Sequence, residues 1–373
     1  MFAQSFHHRK VLVTGHTGFK GSWLTQWLVK LGAHVHGYAL NPQPHERLYD
    51  SLRLSEQLDS DTRADIRDGE AIRKTIERVQ PDFIFHLAAQ PLVRLSFDIP
   101  AATFETNVMG TVNLLDGIRK AQCPCACVIV TTDKCYENRE WLHSYREEDA
   151  MGGYDPYSAS KGCAELVTAA YRRSFFHDHE QQIASARAGN VIGGGDWARD
   201  RIVPDLFRAL FAGKTVPVRN KHATRPWQHV LEPISGYLWL AACLREPKQS
   251  GFSRDELCSG FNFGPQLTSN RTVAGLVAEV LKHVDGTWDD QSDPNAPHEA
   301  SKLNLAIDKA FHMLQWQPTW NFEQTIEKTV QWYVDDKADK DAHKTTLEQI
   351  EQYAIDACEF GLSWATVGST LRT

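Results

Sequence analysis

The sequence predicts an α/β protein: a doubly wound parallel Rossmann sheet with a smaller, mostly helical C-terminal lobe over the ends of its strands. Three observations predict it. A short apolar run at Lys10 to Thr14 leads into a glycine-rich turn and then a helical pattern. Further apolar runs alternate with helical patterns, as strands buried on both faces do. Beyond Gly193 that alternation loosens into glycine and proline punctuation with helical stretches between. The 373 residues, 42% hydrophobic and 23% charged, have ordinary globular composition and support a sizeable core.

Taken in order, Lys10 to Thr14 reads as the first strand and Phe19 to Leu31 as a helix stopped by Gly32. His34 to Leu40 is the second strand, closed by Asn41-Pro42, and Ala64 to Ile66 the third. Helical spacing at Gly69 to Val79 precedes a buried strand at Asp82 to Ala88. Ala101 to Lys120 is the next helix and Cys127 to Thr132 the next strand. Tyr157 to Phe176 is a long helix, without Gly or Pro after its opening except Gly162, and Ile183 to Ala188 a further strand. Helices return at Val203 to Phe211, Glu232 to Leu244, Thr272 to His283 and Phe322 to Val334. The tail from Asp335 onward carries charge and then an aromatic-apolar end, which suits either packing or oligomerisation.

A formal charge of −7 weighs against nucleic acid as the main partner. A small anionic substrate is compatible with it, because a few arginines suffice to hold a diphosphate. The N-terminus lacks the apolar run of a signal peptide and no segment is long enough to span a membrane, so a cytoplasmic protein is expected. The eight cysteines fit that compartment as free thiols. Cys123, Cys125 and Cys127 alternate and so share one strand face; without a CxxC knuckle they read as structural thiols, and no metal site is expected.

The chemistry begins at Thr14-Gly15-His16-Thr17-Gly18-Phe19-Lys20-Gly21, between the first strand and the first helix. Gly15 allows the tight turn, Gly18 lets the backbone approach a pyrophosphate, and Gly21 lets helix and strand pack closely. The helix N-terminus offers free N–H groups to phosphate. Thr17, Phe19 and Lys20 are therefore counted with the glycines as contacts of a nicotinamide dinucleotide. The second strand ends at Leu40-Asn41, with no carboxylate for a ribose and no adjacent arginine for a 2′-phosphate, which leaves NAD and NADP open. Asp65 is a candidate acceptor for the adenine amino group, with Ile66 beside it and Leu87, Ala88 and Ala89 at the end of the Asp82 to Ala88 strand. His16 is a neighbour of the cofactor without a catalytic role.

Tyr157 and Lys161 stand four apart on one helix and share a face. A free phenol titrates near ~10, too high for a base at neutral pH. A neighbouring ammonium and a positive nicotinamide ring favour the phenolate, which then takes a hydroxyl proton as hydride leaves the same carbon. Thr132, at the carboxyl end of its strand, is placed to bond the reacting hydroxyl. Asp133 and Lys134 add an acid and a base that a plain alcohol oxidation does not need, and so point to a second chemical step.

The motifs TGHTGFKG, HLAAQ (86–90), TNVMGT (106–111), TTDKCYEN (131–138), YSASK, ARAGNVIGGGDW (186–197), RPWQHV (225–230) and LQWQPTW near Trp316 follow one another as in a known family. The chain resembles the extended short-chain dehydrogenase/reductases, in the branch of nucleotide-sugar 4,6-dehydratases, over residues 10 to about 320. Within that branch TTDKCYEN is most similar to the CDP-glucose enzymes, where the dTDP-glucose enzymes have Asp-Glu in place of Asp133-Lys134. The resemblance implies bound NAD, oxidation at C4 with Tyr157 as base, loss of water across C5–C6, and hydride return to C6. By analogy Lys134 is the candidate base for the C5 proton, or a cation that stabilises the enolate, and Asp133 the acid for the departing hydroxyl. The resemblance also implies that Asn107 helps position the active-site lysine, and that Arg225 and Asn190 contact the diphosphate of the nucleotide sugar; Arg94 and Arg201 are further candidates because arginine suits bidentate phosphate recognition. Residues 1–190 would then form the NAD-binding domain and 191–373 an interleaved substrate-binding lobe, with the sheet also receiving later segments. A homo-oligomer, dimer or tetramer, is expected through the Tyr157 helix and the helix before Cys127. The GGGDW stretch reads as a lid or as a plain turn. An epimerase, a dehydratase of GDP-mannose, dTDP-glucose or UDP-glucose, and a NAD-sensing regulatory protein are the competing readings.

Overall fold

The computed structural model describes residues 1–177, 180–292 and 302–366. Seven parallel strands form its central sheet: β1 (Lys10–Thr14), β2 (His34–Ala39), β3 (Ser60–Arg63), β4 (Phe83–His86), β5 (Ala126–Val130), β6 (Gln182–Arg187) and β7 (Gly260–Asn262). Their order is β7-β6-β5-β4-β1-β2-β3. The chain runs outward from β1 to β3, crosses back to β4, and runs outward again on the other side. The carboxyl ends of β1 and β4 therefore flank the point where strand order reverses, which is where open sheets of this kind bind ligands.

Alternation along each strand supplies both faces of the sheet. Val11 and Val13 enter a large core with Phe83, Phe85, Val128 and Val130. Leu12 points the other way and packs with Ile84, Ile129 and the helices α2 (Gly69–Val79) and α3 (Gly110–Ala121). Side-chain caps set the helix starts: Asp68 accepts from the Glu70 and Ala71 amides ahead of α2, and Asp155 from the Ser158 amide ahead of α4 (Pro156–Tyr171). Pro156 at the first position of α4 adds a fixed φ where no amide donor is needed.

Several boundaries differ from expectation. The third strand ends at Arg63, ahead of the predicted Ala64 to Ile66, because the Asp65 carboxylate accepts from the Arg67 amide at 2.9 Å and turns the chain. The predicted Ala101 to Lys120 helix carries a π-turn at Glu105–Met109, and the long Tyr157 helix ends in another at Arg172–Phe176. Of the three alternating cysteines only Cys127 lies in β5, although all three are buried in the same core. The predicted Thr272 to His283 helix is shorter, Val273–Val280.

The second half of the chain is largely helical: α5 (Ile202–Phe211), α6 (Leu231–Arg245), α7 (Val273–Val280), α8 (Phe322–Lys337) and α9 (Ala342–Glu359). Among the described residues it returns to the sheet once, as β7. The described part of the tail beyond Asp335 packs: α9 lies against α1 (Phe19–Lys30), and Trp364 stacks on Tyr353 and on Phe2 with centroids 5.7 and 5.0 Å apart; its last residues, 367–373, lie outside the described ones. No helix among the described residues is long and apolar enough to cross a membrane.

Candidate active site

The glycine loop joins β1 to α1 at the reversal of strand order. Gly15 has φ +74, and a Cβ there would lie 2.6 Å from the Ala88 amide nitrogen beyond β4. A Cβ on Gly21 would lie 2.0 Å from the Gly15 carbonyl, so helix and loop touch through glycine alone. Gly18 precedes α1 without any side-chain cap, which leaves the first amides of the helix without acceptors inside it. A diphosphate fits that cradle on both counts, close backbone approach and free N–H donors. Leu87 and Ala88 close its floor, with amides donating to the Thr14 carbonyl at 3.0 Å and the Thr14 hydroxyl at 3.3 Å; Ala89 follows.

On the β3 side of the glycine loop, the buried His16 bonds Asp61 of β3 at 3.0 Å, and burial holds its imidazole below the usual range. Asp61 also accepts from Tyr49 and Arg63, each at 2.6 Å, and Arg63 reaches the Leu40 carbonyl at 3.3 Å. Thr17 donates to the same carbonyl at 3.2 Å. Asp61 and Arg63 thus occupy the strand-end region that looked unfurnished in sequence, because their partners come from three separate segments. Asp65 is gripped by Arg67 through Nε and Nη2 at 2.9 and 2.6 Å, which holds its carboxyl below the usual range. Ile66 is buried, against Gly110.

The reaction end gathers past β5. Asp133 is fully buried and receives three side-chain donors: the Thr132 hydroxyl at 2.9 Å, the Asn190 amide at 3.0 Å, and the Lys134 ammonium at 3.4 Å. Gly189 makes room for it, since a Cβ there would fall 1.9 Å from the Asp133 carboxylate. Burial pushes the Tyr157 phenol up to about 12, against the lowering influence of the nearby Thr132 hydroxyl. The chain alone therefore does not lower the phenol. The phenolate expected from sequence needs the positive ring of a bound cofactor as well. Lys161 donates to the Val130 carbonyl at 3.3 Å, and burial pulls its amine down to about 8. Asn107 sits in the π-turn before α3, where it pairs reciprocally with the Gln90 backbone at 2.8 and 3.1 Å and donates to Ser160 at 2.8 Å.

Lys20 belongs to this end as much as to the glycine loop. Its amine is pulled down to about 7, first by burial and then by Lys161 and Arg201. Arg201 pairs with the buried Asp196 at 2.9 Å and lies within electrostatic reach of Tyr157. Arg94 pairs with Asp200 at 3.9 Å. Arg225 lies on a short antiparallel strand pair opposite Arg271. The GGGDW stretch is a packed turn rather than a loose loop: Trp23 donates to the Gly194 carbonyl at 2.9 Å, and Gly194 abuts Trp332.

Sequence reading missed Asp61, Gly189 and the buried Glu165. Glu165 was the one with a visible signal, since it continues the spacing of Tyr157 and Lys161 by one more turn.

A model of the family described as GDP-mannose 4,6 dehydratase matches residues 12–329. The CDP-glucose 4,6-dehydratase of Salmonella typhimurium is 47% identical over 335 residues, covering 87% of this chain and 90% of that protein. The dTDP-glucose 4,6-dehydratase of the same organism is 27% identical, with 87% and 92% covered. Among solved structures, a dTDP-glucose 4,6-dehydratase from Streptomyces venezuelae with NAD bound superposes with a TM-score of 0.74 at 24% identity, covering 90% of this chain and 99% of that one. At that identity the likeness speaks for the fold.

Proposed function

The chain belongs to the GDP-mannose 4,6-dehydratase family, and from that premise we propose that it converts CDP-glucose to CDP-4-keto-6-deoxyglucose with bound NAD. The observation that carries the reaction type is the buried Asp133, set among Thr132, Lys134 and Asn190 beside Tyr157. An epimerase has no use for an acid and a base next to its tyrosine. The choice of cytidine is supported by the relative that shares nearly half of its residues, a CDP-glucose enzyme.

The glycine cradle with Thr17, Phe19, Lys20, Asp65, Ile66 and residues 87–89 would hold NAD, which would supply hydride acceptance from C4 and hydride return to C6. Tyr157 takes the C4 hydroxyl proton while Thr132 orients that hydroxyl. Lys161 favours the phenolate by its charge, and Asn107 fixes the neighbouring turn of α4 through Ser160. The new ketone acidifies C5. Once the Lys134 ammonium has passed its proton to the Asp133 carboxylate that it contacts, the neutral amine takes the C5 proton and Asp133 gives its proton to the C6 oxygen as it leaves as water. Lys134 returns its proton to C5 at the close of the sequence. One proton then remains in excess on Tyr157 and one is missing from Asp133. The Thr132 hydroxyl, bonded to Asp133 and close to Tyr157, offers the route between them. Arg94, Asn190, Arg201 and Arg225 hold the sugar diphosphate.

In this reading residues 1–190 carry the cofactor, and 191–373 the nucleotide sugar, interleaved through β7. Phe104, Met109 and Leu166 are exposed on adjoining elements around α3 and α4, which supports a homo-oligomer built on those helices. None of the eight cysteines is in a disulfide, which suits the cytoplasm.

The test is turnover of CDP-glucose, dTDP-glucose, UDP-glucose and GDP-mannose with NAD, followed by mass spectrometry for loss of one water. Dehydration confined to CDP-glucose is expected. Dehydration of another sugar nucleotide overturns the choice of base, and an isomer of unchanged mass overturns the reaction.

A further inference from the structure

Tyr157, Lys161 and Glu165 stand at successive four-residue steps on α4, so one face of the helix carries a phenol, an ammonium and a carboxylate in a row. Glu165 is only 3% exposed. A carboxylate so deeply buried is costly unless its lone pairs are filled. Three donors fill them: the Thr131 hydroxyl at 2.5 Å, the Ser185 hydroxyl at 2.7 Å and the Arg187 guanidinium at 2.9 Å. These come from the end of β5 and from β6. The same Arg187 is anchored by the Tyr136 hydroxyl at 2.6 Å and the Glu147 carbonyl at 2.9 Å. Glu165 thus clamps α4 to the strand end from which Thr132 and Asp133 project.

Its second effect is electrostatic. Lys161 faces Glu165 on its own helix, Cys135 just past β5, Lys20 from the first turn of α1, and His86 at the end of β4. Burial pushes the Cys135 thiol up and the His86 imidazole down to about 3, so both are neutral near pH 7. Lys20 opposes charge on Lys161. Among these groups Glu165 is the carboxylate, and it is the largest influence raising the Lys161 amine against burial.

We propose that Glu165 is a positioning residue for the Tyr157–Lys161 pair: it fixes the Thr131–Thr132 strand end and supplies the negative neighbour that keeps Lys161 an ammonium. The inference rests on the reading of that pair as the redox acid–base couple. It does not depend on which nucleotide sugar is used.

The test is an ultraviolet difference titration of the Tyr157 phenolate in the NAD complex, with and without Glu165→Gln, each against the matching Tyr157→Phe background. When Lys161 gives up its proton first, the phenol has no adjacent cation, so the phenolate of Glu165→Gln is expected about one pH unit higher. Glu165→Asp, which keeps the charge, should bring the titration most of the way back. An unchanged titration with only a lower melting temperature would reduce Glu165 to a structural residue and overturn the proposal. Thr131→Val tests the clamp by itself and serves also where the Gln variant does not fold. It leaves the charge in place, so the phenolate should titrate as before while single-turnover C4 oxidation slows roughly tenfold. Oxidation at the unmodified rate overturns the clamp. A protein that turns over no nucleotide sugar while Glu165→Gln still moves the phenolate would refute the proposed function and leave this inference standing.

Discussion

At the residue scale, the identity of Asp133 matters less than how it is held. Its carboxylate is completely enclosed, and the space it fills exists because position 189 has no side chain. Gly189→Ala should therefore push the carboxylate off Thr132 and Asn190 and cost about 10²-fold or more in dehydration, with cofactor binding retained. Cofactor binding by fluorescence and turnover by mass spectrometry check the two halves. Asp133→Asn should separate the steps instead: C4 oxidation is expected to proceed without loss of water, so that absorbance of reduced nicotinamide accumulates on the enzyme. Loss of dehydration without that accumulation would remove Asp133 from the role of acid. The two residues differ in legibility for a physical reason. Tyr157 and Lys161 are visible in sequence because helical periodicity alone puts them on one face. Gly189 is invisible because its purpose is an atom 56 positions away, brought near only when β5 and β6 pair. Asp61 is hidden in the same way, since its partners His16, Tyr49 and Arg63 meet only in the folded sheet.

At the element scale, β1, β4 and β5 were readable because each is buried on both faces and so is a nearly continuous apolar run, whereas the three-residue β7 is too short to register. β3 was misplaced because SDTR is polar and only partly buried, so hydrophobicity pointed to the residues after it. The π-turn that carries Asn107 left no trace in periodicity, being one extra residue in an otherwise regular helix. A titratable joint between elements was also out of sight. Glu232, in the first turn of α6, is fully buried and accepts from the Thr319 and Trp320 amides at 2.9 and 2.7 Å and from the Tyr353 hydroxyl at 2.7 Å. It ties α6 to α9 and to the segment before α8. Burial outweighs those donors and pushes its carboxyl up to about 7. The folded state thus keeps a proton that the unfolded chain releases near ~4.3. That contribution to stability is complete below the unfolded value and is lost as pH rises through about 7. Glu232→Gln should flatten the fall in melting temperature between those two pH values, a difference on the order of 2–4 kcal/mol. Melting curves of both proteins across that window check it, and parallel curves would mean that Glu232 is already ionised in the fold.

At the scale of the whole molecule, the two chain ends bear on the apolar surface left over for a partner. The tail after Asp335 is aromatic and charged, and sequence left it free to pack or to join subunits. The fold decides for packing: Trp364 is wholly buried between Phe2, Trp27 and Tyr353, so that surface is consumed within the chain. Leu166 remains 58% exposed on α4 and Met109 49% exposed ahead of α3, while the other faces of both helices enter the core. Exposed apolar side chains on two adjoining helices are costly in water and are covered most simply by the same helices of a second copy, since a two-fold axis brings like faces together. Light scattering should accordingly give a multiple of the 42.2 kDa chain mass. Leu166→Glu would place two carboxylates against each other across the axis and should weaken self-association by more than about tenfold. The melting temperature of the monomer it leaves should fall only modestly, because Leu166 contributes little to the core. An unmodified protein that scatters as a monomer would show that these residues face water, and the homo-oligomer would fall with them.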